Sequence, residues 1–257
     1  MPSLSSSRHE RLAALREEVR ALEKVGVARD RAVLPFGIDD VDRRLEGGGL
    51  ATAALHEVAG AGAALGDDAA ATLFIAGIAA RRGTGTILWA LARRDLFAPG
   101  LALAGLAPDR LLYAECGRDE EVLAVMEEGL RHGGLDAVVG EVSRALMAAT
   151  RRLQLAAEEG GTTALMLRRW RRGGEDPLGA SSAAVTRWKL ACAPSTPLPV
   201  EGIGRARWRA DLVRQRGGAP HSWILEASDA EGRLALPAQS RDRPAEPDRR
   251  SEERRAA

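Results

Sequence analysis

The sequence predicts an α/β fold: a doubly wound, mostly parallel sheet with antiparallel edge strands near the C-terminus. Three features carry that expectation. Between residues 54 and 167, short apolar runs alternate with stretches of helical periodicity, as in strands buried on both faces and joined by crossover helices. A glycine-rich turn separates the first such run from the first long helix. Beyond residue 168 the pattern becomes alternating, in Val185, Arg187, Lys189, in Arg205, Arg207, Arg209, and in 221–226, which marks strands with one wet face.

In chain order, residues 7–24 read as an amphipathic helix, with Ser7 and Glu10 forming a capping box and Leu12, Leu15, Val19 and Leu22 forming one apolar stripe. That stripe can pack on its own domain or seat against a second protein. Gly26 ends it. Asp39 or Asp40 caps a short helix that stops at Gly47, Gly48 and Gly49. A strand over 54–58, a helix over 69–82 and a strand over 86–91 make one βαβ unit. Strands at 111–114, 135–142 and 163–167 then alternate with helices at 119–132 and 148–159. Such an order requires right-handed crossovers.

The chain of 257 residues divides into an N-terminal helix and linker (1–30), a core domain (31–239) and a low-complexity charged tail (240–257) expected to be solvated. Cys116 and Cys192 are too few for a disulfide framework or a zinc site, and no secretory leader or membrane-length apolar run is visible. A cytoplasmic protein is expected. The net charge of +1 is uninformative, but its distribution is not. From Arg168 to Arg216 eleven cationic residues face four acidic ones, an excess of seven.

Gly60, Gly62 and Gly66 lie between a strand and a helix, where backbone N–H groups cradle phosphate in a nucleotide-binding protein. The motif G-x-x-x-x-G-K-[ST] is degenerate here: Asp67 and Asp68 stand at the positions of the lysine and the hydroxyl. A carboxylate about 4 Å from a phosphate charge is repelled by roughly 4 kcal/mol at an effective dielectric near 20, more than a helix dipole returns. No bound cofactor and no metal is expected at this loop.

The segment FGIDDVDRRLEGGGL, followed by HEVAG, the loop helix, TILWAL and LDAVV, resembles the RecA-like ATPase core over most of residues 33–228. With the degenerate phosphate loop, the arginine-rich strands and the short N-terminal helix, the chain is identified as a member of the ImuA family, the RecA-like accessory proteins of an inducible mutagenesis cassette. The resemblance implies a RecA-like, non-catalytic adaptor in SOS-type DNA repair by translesion synthesis. Its implied partners are an inactive Y-family polymerase homologue (ImuB) and an error-prone C-family polymerase, with RecA and single-stranded DNA left open. Three departures from RecA agree with lost hydrolysis. The lysine is matched by Asp67, the general base has no counterpart at Ala92, Arg93 and Arg94, and the magnesium aspartate falls at Gly140 with Glu141 beside it. Two alternatives stay open: a divergent ATPase and a cell-division inhibitor resembling SulA.

In the RecA resemblance the loop after the fifth strand enters single-stranded DNA. The expected DNA-binding residues are therefore Arg168, Arg169, Trp170, Arg171, Arg172, Arg187 and Lys189, pairing phosphate contacts with a stacking face. A solvated basic surface or a protein-docking patch is the competing reading. His56 and Glu57 read as a strand-end contact, Cys116 as a buried structural thiol, and Trp89, Trp188 and Trp223 as core aromatics.

Overall fold

The computed structural model describes residues 32–171, 174–195, 198, 201, 202 and 204–237. The stripe of Leu12, Leu15, Val19 and Leu22, Arg172 and the charged tail lie outside the described residues.

Two short strands, β1 (Val33–Leu34) and β2 (Leu50–Ala51), pair antiparallel around helix α1 (Asp39–Asp42). The cap differs from expectation. Neither Asp39 nor Asp40 caps α1; Asp42 instead reaches back to accept the N–H groups of Phe36, Gly37 and Ile38 at 2.7, 2.9 and 3.2 Å. Then come β3 (Leu55–Gly60), α2 (Leu65–Ala80), β4 (Ile87–Leu91), α3 (Ala98–Leu103) and β5 (Leu111–Glu115). The order continues with α4 (Asp119–His132), β6 (Ala137–Val142), α5 (Met147–Gly160), β7 (Thr163–Arg168), β8 (Thr186–Ala193), β9 (Arg207–Gln215) and β10 (His221–Glu226).

The eight-stranded sheet runs β10-β9-β8-β3-β7-β6-β4-β5. All pairings from β8 to β5 are parallel, and β8-β9 and β9-β10 are antiparallel. The fold class is therefore the one the sequence predicts. Helix α2 begins four residues earlier than expected, because Gly66, Asp67 and Asp68 enter its first turn, where carboxylates suit the positive end of the helix dipole.

Each sheet face has its own core. On one, α2 and α3 cover Val58, Trp89, Val139, Leu167 and Trp188. On the other, α4 and α5 cover Leu55, Ala90, Val138 and Met166. Trp188 is ringed by Phe36, Phe74 and Trp223 at centroid distances of 5.8, 5.5 and 5.9 Å, so the turn between β1 and α1 that carries Phe36 is held against the sheet by aromatic packing. Trp223 also donates to Asp40 Oδ2 at 2.9 Å. Because β3, β6 and β7 all point the same way, their C-terminal ends converge beside the glycine turn.

Candidate functional site

The turn after β3 is closed by its own side chains. Asp67 Oδ2 accepts the Gly62 N–H at 3.1 Å, and its Oδ1 accepts the Cys192 N–H from the end of β8 at 2.8 Å. Ala61 N–H donates to Leu190 O at 2.7 Å, so loop and strand are tied at two points. The turn is tight at Gly60, where a Cβ would lie 3.0 Å from both the Asp67 carbonyl carbon and the Gly62 oxygen. Asp67 is thus a structural contact of the turn. Its carboxylate takes a backbone donor that a phosphate oxygen would otherwise seek. Burial, and then the Asp67 charge, push the neighbouring Cys192 thiol above its usual range, which keeps it a thiol rather than a reactive thiolate.

Asp68 is also engaged. Its Oδ2 lies 3.0 Å from Arg169 Nη1, while Arg169 Nε and Nη2 donate to Glu141 Oε2 at 2.9 and 2.7 Å. Arg169 Nη1 reaches Thr72 Oγ1 at 3.2 Å, and Trp89 Nε1 donates to Glu141 Oε1 at 2.7 Å. Burial opposes the Arg169 charge, but Glu141 and Asp68 more than offset it, leaving the guanidinium pKa above its ordinary value. Glu141, the acid nearest the expected metal position, is therefore committed to an arginine. Gly140 has no room for a carboxylate, since a Cβ there would meet Met126 Sδ at 2.1 Å. At the expected base position Arg93 pairs with Asp95 and Arg94 with Glu115. Among the described residues no cluster of three or more potential ligands could hold a metal ion.

Of the residues expected on a DNA-facing surface, Arg168, Arg169 and Arg171 line one cavity, Arg187 and Lys189 lie on β8, and Trp170 lies over the glycine turn. Arg168, Arg169 and Arg187 are buried, a correction to the exposed arginine run. Arg168 Nη1 and Arg187 Nε donate to Glu57 at 2.9 and 2.7 Å, and Ser182 Oγ adds a third bond at 2.9 Å. Register explains the cluster: Glu57 sits directly across from Arg187 on β8 and one pleat from Arg168 on β7. Lys189 pairs with Asp176 at 2.6 Å. Trp170 is half-buried, with its Nε1 donating to Gly60 O at 2.8 Å, so it covers the glycine turn. Arg171 alone of the described set is both exposed and unpaired.

Glu57 was legible only as a strand-end contact; the structure makes it the wholly buried centre of an ion cluster. Beside it, His56 is fully buried. Its Nε2 lies 2.8 Å from Ala51 O, which can only accept, so Nε2 carries the proton and Nδ1 accepts from Thr186 Oγ1 at 2.7 Å. Desolvation lowers its pKa to about 4. Cys116 is half-buried rather than buried, at the exposed end of β5, with its pKa raised by burial and then by Glu121. No described helix is long and apolar enough to cross a membrane.

Two curated relatives, both named Protein ImuA and from two strains of Caulobacter vibrioides (NA1000 / CB15N and ATCC 19089 / CB 15), are 39% identical to the chain over 218 residues, spanning 80% of it and 88% of each relative. The chain belongs to the ImuA family. The Asp67 turn and the Arg169 network are thus features of an ImuA-family chain. No family model matches it. Among solved structures, SulA from Pseudomonas aeruginosa aligns with a TM-score of 0.38 and 25% identity over 44% of this chain and 96% of that one.

Proposed function

We propose that this ImuA-family chain serves DNA-damage-induced mutagenesis as an adaptor with no nucleotide chemistry of its own. The observation that carries the reading is the Asp67 carboxylate seated on the Gly62 and Cys192 N–H groups. A triphosphate arriving there would have to displace two charge-assisted contacts while facing Asp67 and Asp68. Lysine, base and metal carboxylate are replaced together, so neutralisation, water activation and metal placement have no residues to perform them. The partners in this proposal are an inactive Y-family polymerase homologue of the ImuB type and an error-prone C-family polymerase, with RecA as a further contact. Single-stranded DNA enters it only through side chains left at the surface, such as Arg171.

Calorimetric titration of the full chain with ATP and magnesium tests the central step. No binding heat is expected; a micromolar affinity would overturn the reading. Co-elution with the purified Y-family homologue is the positive half of the same test, and separate elution removes the adaptor role.

A further inference from the structure

A cavity of about 520 Å³ opens between the end of β6 and the loop after β7, with Arg144, Leu146 and Arg171 on its wall. Leu146 is 79% exposed, and from it an apolar row continues along α5 through Met147 and Leu155, which are 46% and 47% exposed. Met147, Arg151 and Leu155 follow at steps of four, so they stand one above the other on the outer face of the helix. The opposite face of α5, with Leu153, Ala156 and Ala157, is fully used in the core.

We propose that Arg144, Leu146, Met147, Arg151, Leu155 and Arg171 form a docking surface for an acidic amphipathic helix of a partner protein. Charge supplies the argument for the occupant. Arg144, Arg151 and Arg171 are exposed and carry no ion pair among the described residues. Their neighbours differ: Arg152 and Arg131 both bind Glu127, and Arg168, Arg169 and Arg187 are consumed inside the protein. Three unneutralised guanidinium groups around an aliphatic row call for carboxylates flanking an apolar stripe. The acids at the cavity weaken this little, because Asp176 is already held by Lys189 at 2.6 Å, leaving Glu175.

Backbone geometry presents Arg144 from a fixed position, since Asp119 Oδ2 accepts the Ser143 and Arg144 N–H groups at 3.1 and 2.8 Å. The apolar members are leucine and methionine. Sequence-tolerant single-strand readers stack bases on aromatic rings, whereas aliphatic rows with an adaptable methionine match leucine-type side chains of a helix. The cavity shares Arg169 with the Asp68 pair, but none of the six side chains of the docking surface touches Asp67, so its test does not depend on nucleotide binding.

Two fluorescein-labelled synthetic helices test it with the full chain. Both carry leucine at steps of three and four, one flanked by glutamate and the other by lysine. The glutamate helix should bind at least tenfold tighter than the lysine helix, and the triple variant R144E/R151E/R171E should reverse that preference. The variant L146S/M147S/L155S should weaken the glutamate helix about tenfold with no change in preference. A reversal cannot come from misfolding, which would abolish both. Equal binding of the two helices, or failure of both, overturns the proposal. Retention of an oligo-dT strand that depends on the same arginines, with neither helix bound, reassigns the surface to nucleic acid. A dimer in sedimentation that the apolar variant abolishes reassigns it to a second copy of the chain.

Discussion

The carboxylates of Glu57 and Asp67 lie on either side of the same glycine turn and are held in opposite ways. Glu57 has no exposed surface and meets two arginines and a serine hydroxyl, all supplied by strands or loops more than a hundred residues away. Asp67 sits at a half-open helix start and meets backbone N–H groups, one of them only five residues distant. One site is a tertiary ion cluster whose orphan atoms, Arg168 Nε and Arg187 Nη2, show that its two cations exceed what one carboxylate can satisfy. The other is a stitch that ties a half-open glycine turn to itself and to the end of β8. The contrast teaches that charge buried between strands specifies the sheet, while charge at the turn only shapes one end of it.

Breaking each side should give effects of different size. Glu57→Gln strands two buried guanidinium groups and should cost about 3 to 5 kcal/mol in urea-induced unfolding. A loss below about 1 kcal/mol would mean that water reaches the cluster and that the contrast with Asp67 is false.

The next effect is one of pH, and it sharpens the same contrast because His56 shares the interior with Glu57. Its folded pKa is lowered from 6.5 to about 4, so the unfolded chain binds the extra proton in that window. Stability is therefore fully present above about pH 6.5 and falls as the pH drops towards 4, by about 3 kcal/mol in all. Thermal melts across that range should show the decline, and His56→Gln should flatten it. An unchanged slope in the variant would assign the acid sensitivity to other groups.

The smallest effect is expected at the turn. Asp67→Ala leaves the Gly62 and Cys192 N–H groups to water and should cost roughly 1 to 2 kcal/mol, read by the same unfolding measurement. Faster amide exchange at Gly62 and Cys192 than in the parent should accompany it. A destabilisation as large as that of Glu57→Gln would make the stitch part of the core.

Much of the architecture was legible in the residues themselves. Helix α4 falls on its expected bounds because Asp119, Glu120 and Glu121 mark its start, the Val122, Met126, Leu130 spacing marks its face and Gly133 its stop. Apolar runs of strand length located β4, β6 and β7, and the change to alternation located β8 to β10, since both signals are local periodicities. The carboxylates Asp67 and Asp68 after the glycine turn were equally readable, as they need only a motif and the sign of a charge.

What the charges do once placed was decided by tertiary structure. Arg168, Arg169 and Arg187 look like a basic surface in a linear reading, because no local pattern reveals that Glu57 and Glu141 lie one strand away. Strand order sets β3 between β7 and β8 and β6 beside β7, so that Glu57 takes Arg168 and Arg187 and Glu141 takes Arg169, while Arg144, Arg151 and Arg171 stay exposed. Periodicity belongs to the chain, whereas pairing belongs to the sheet, and the destiny of an arginine depends on which acid the sheet sets opposite it.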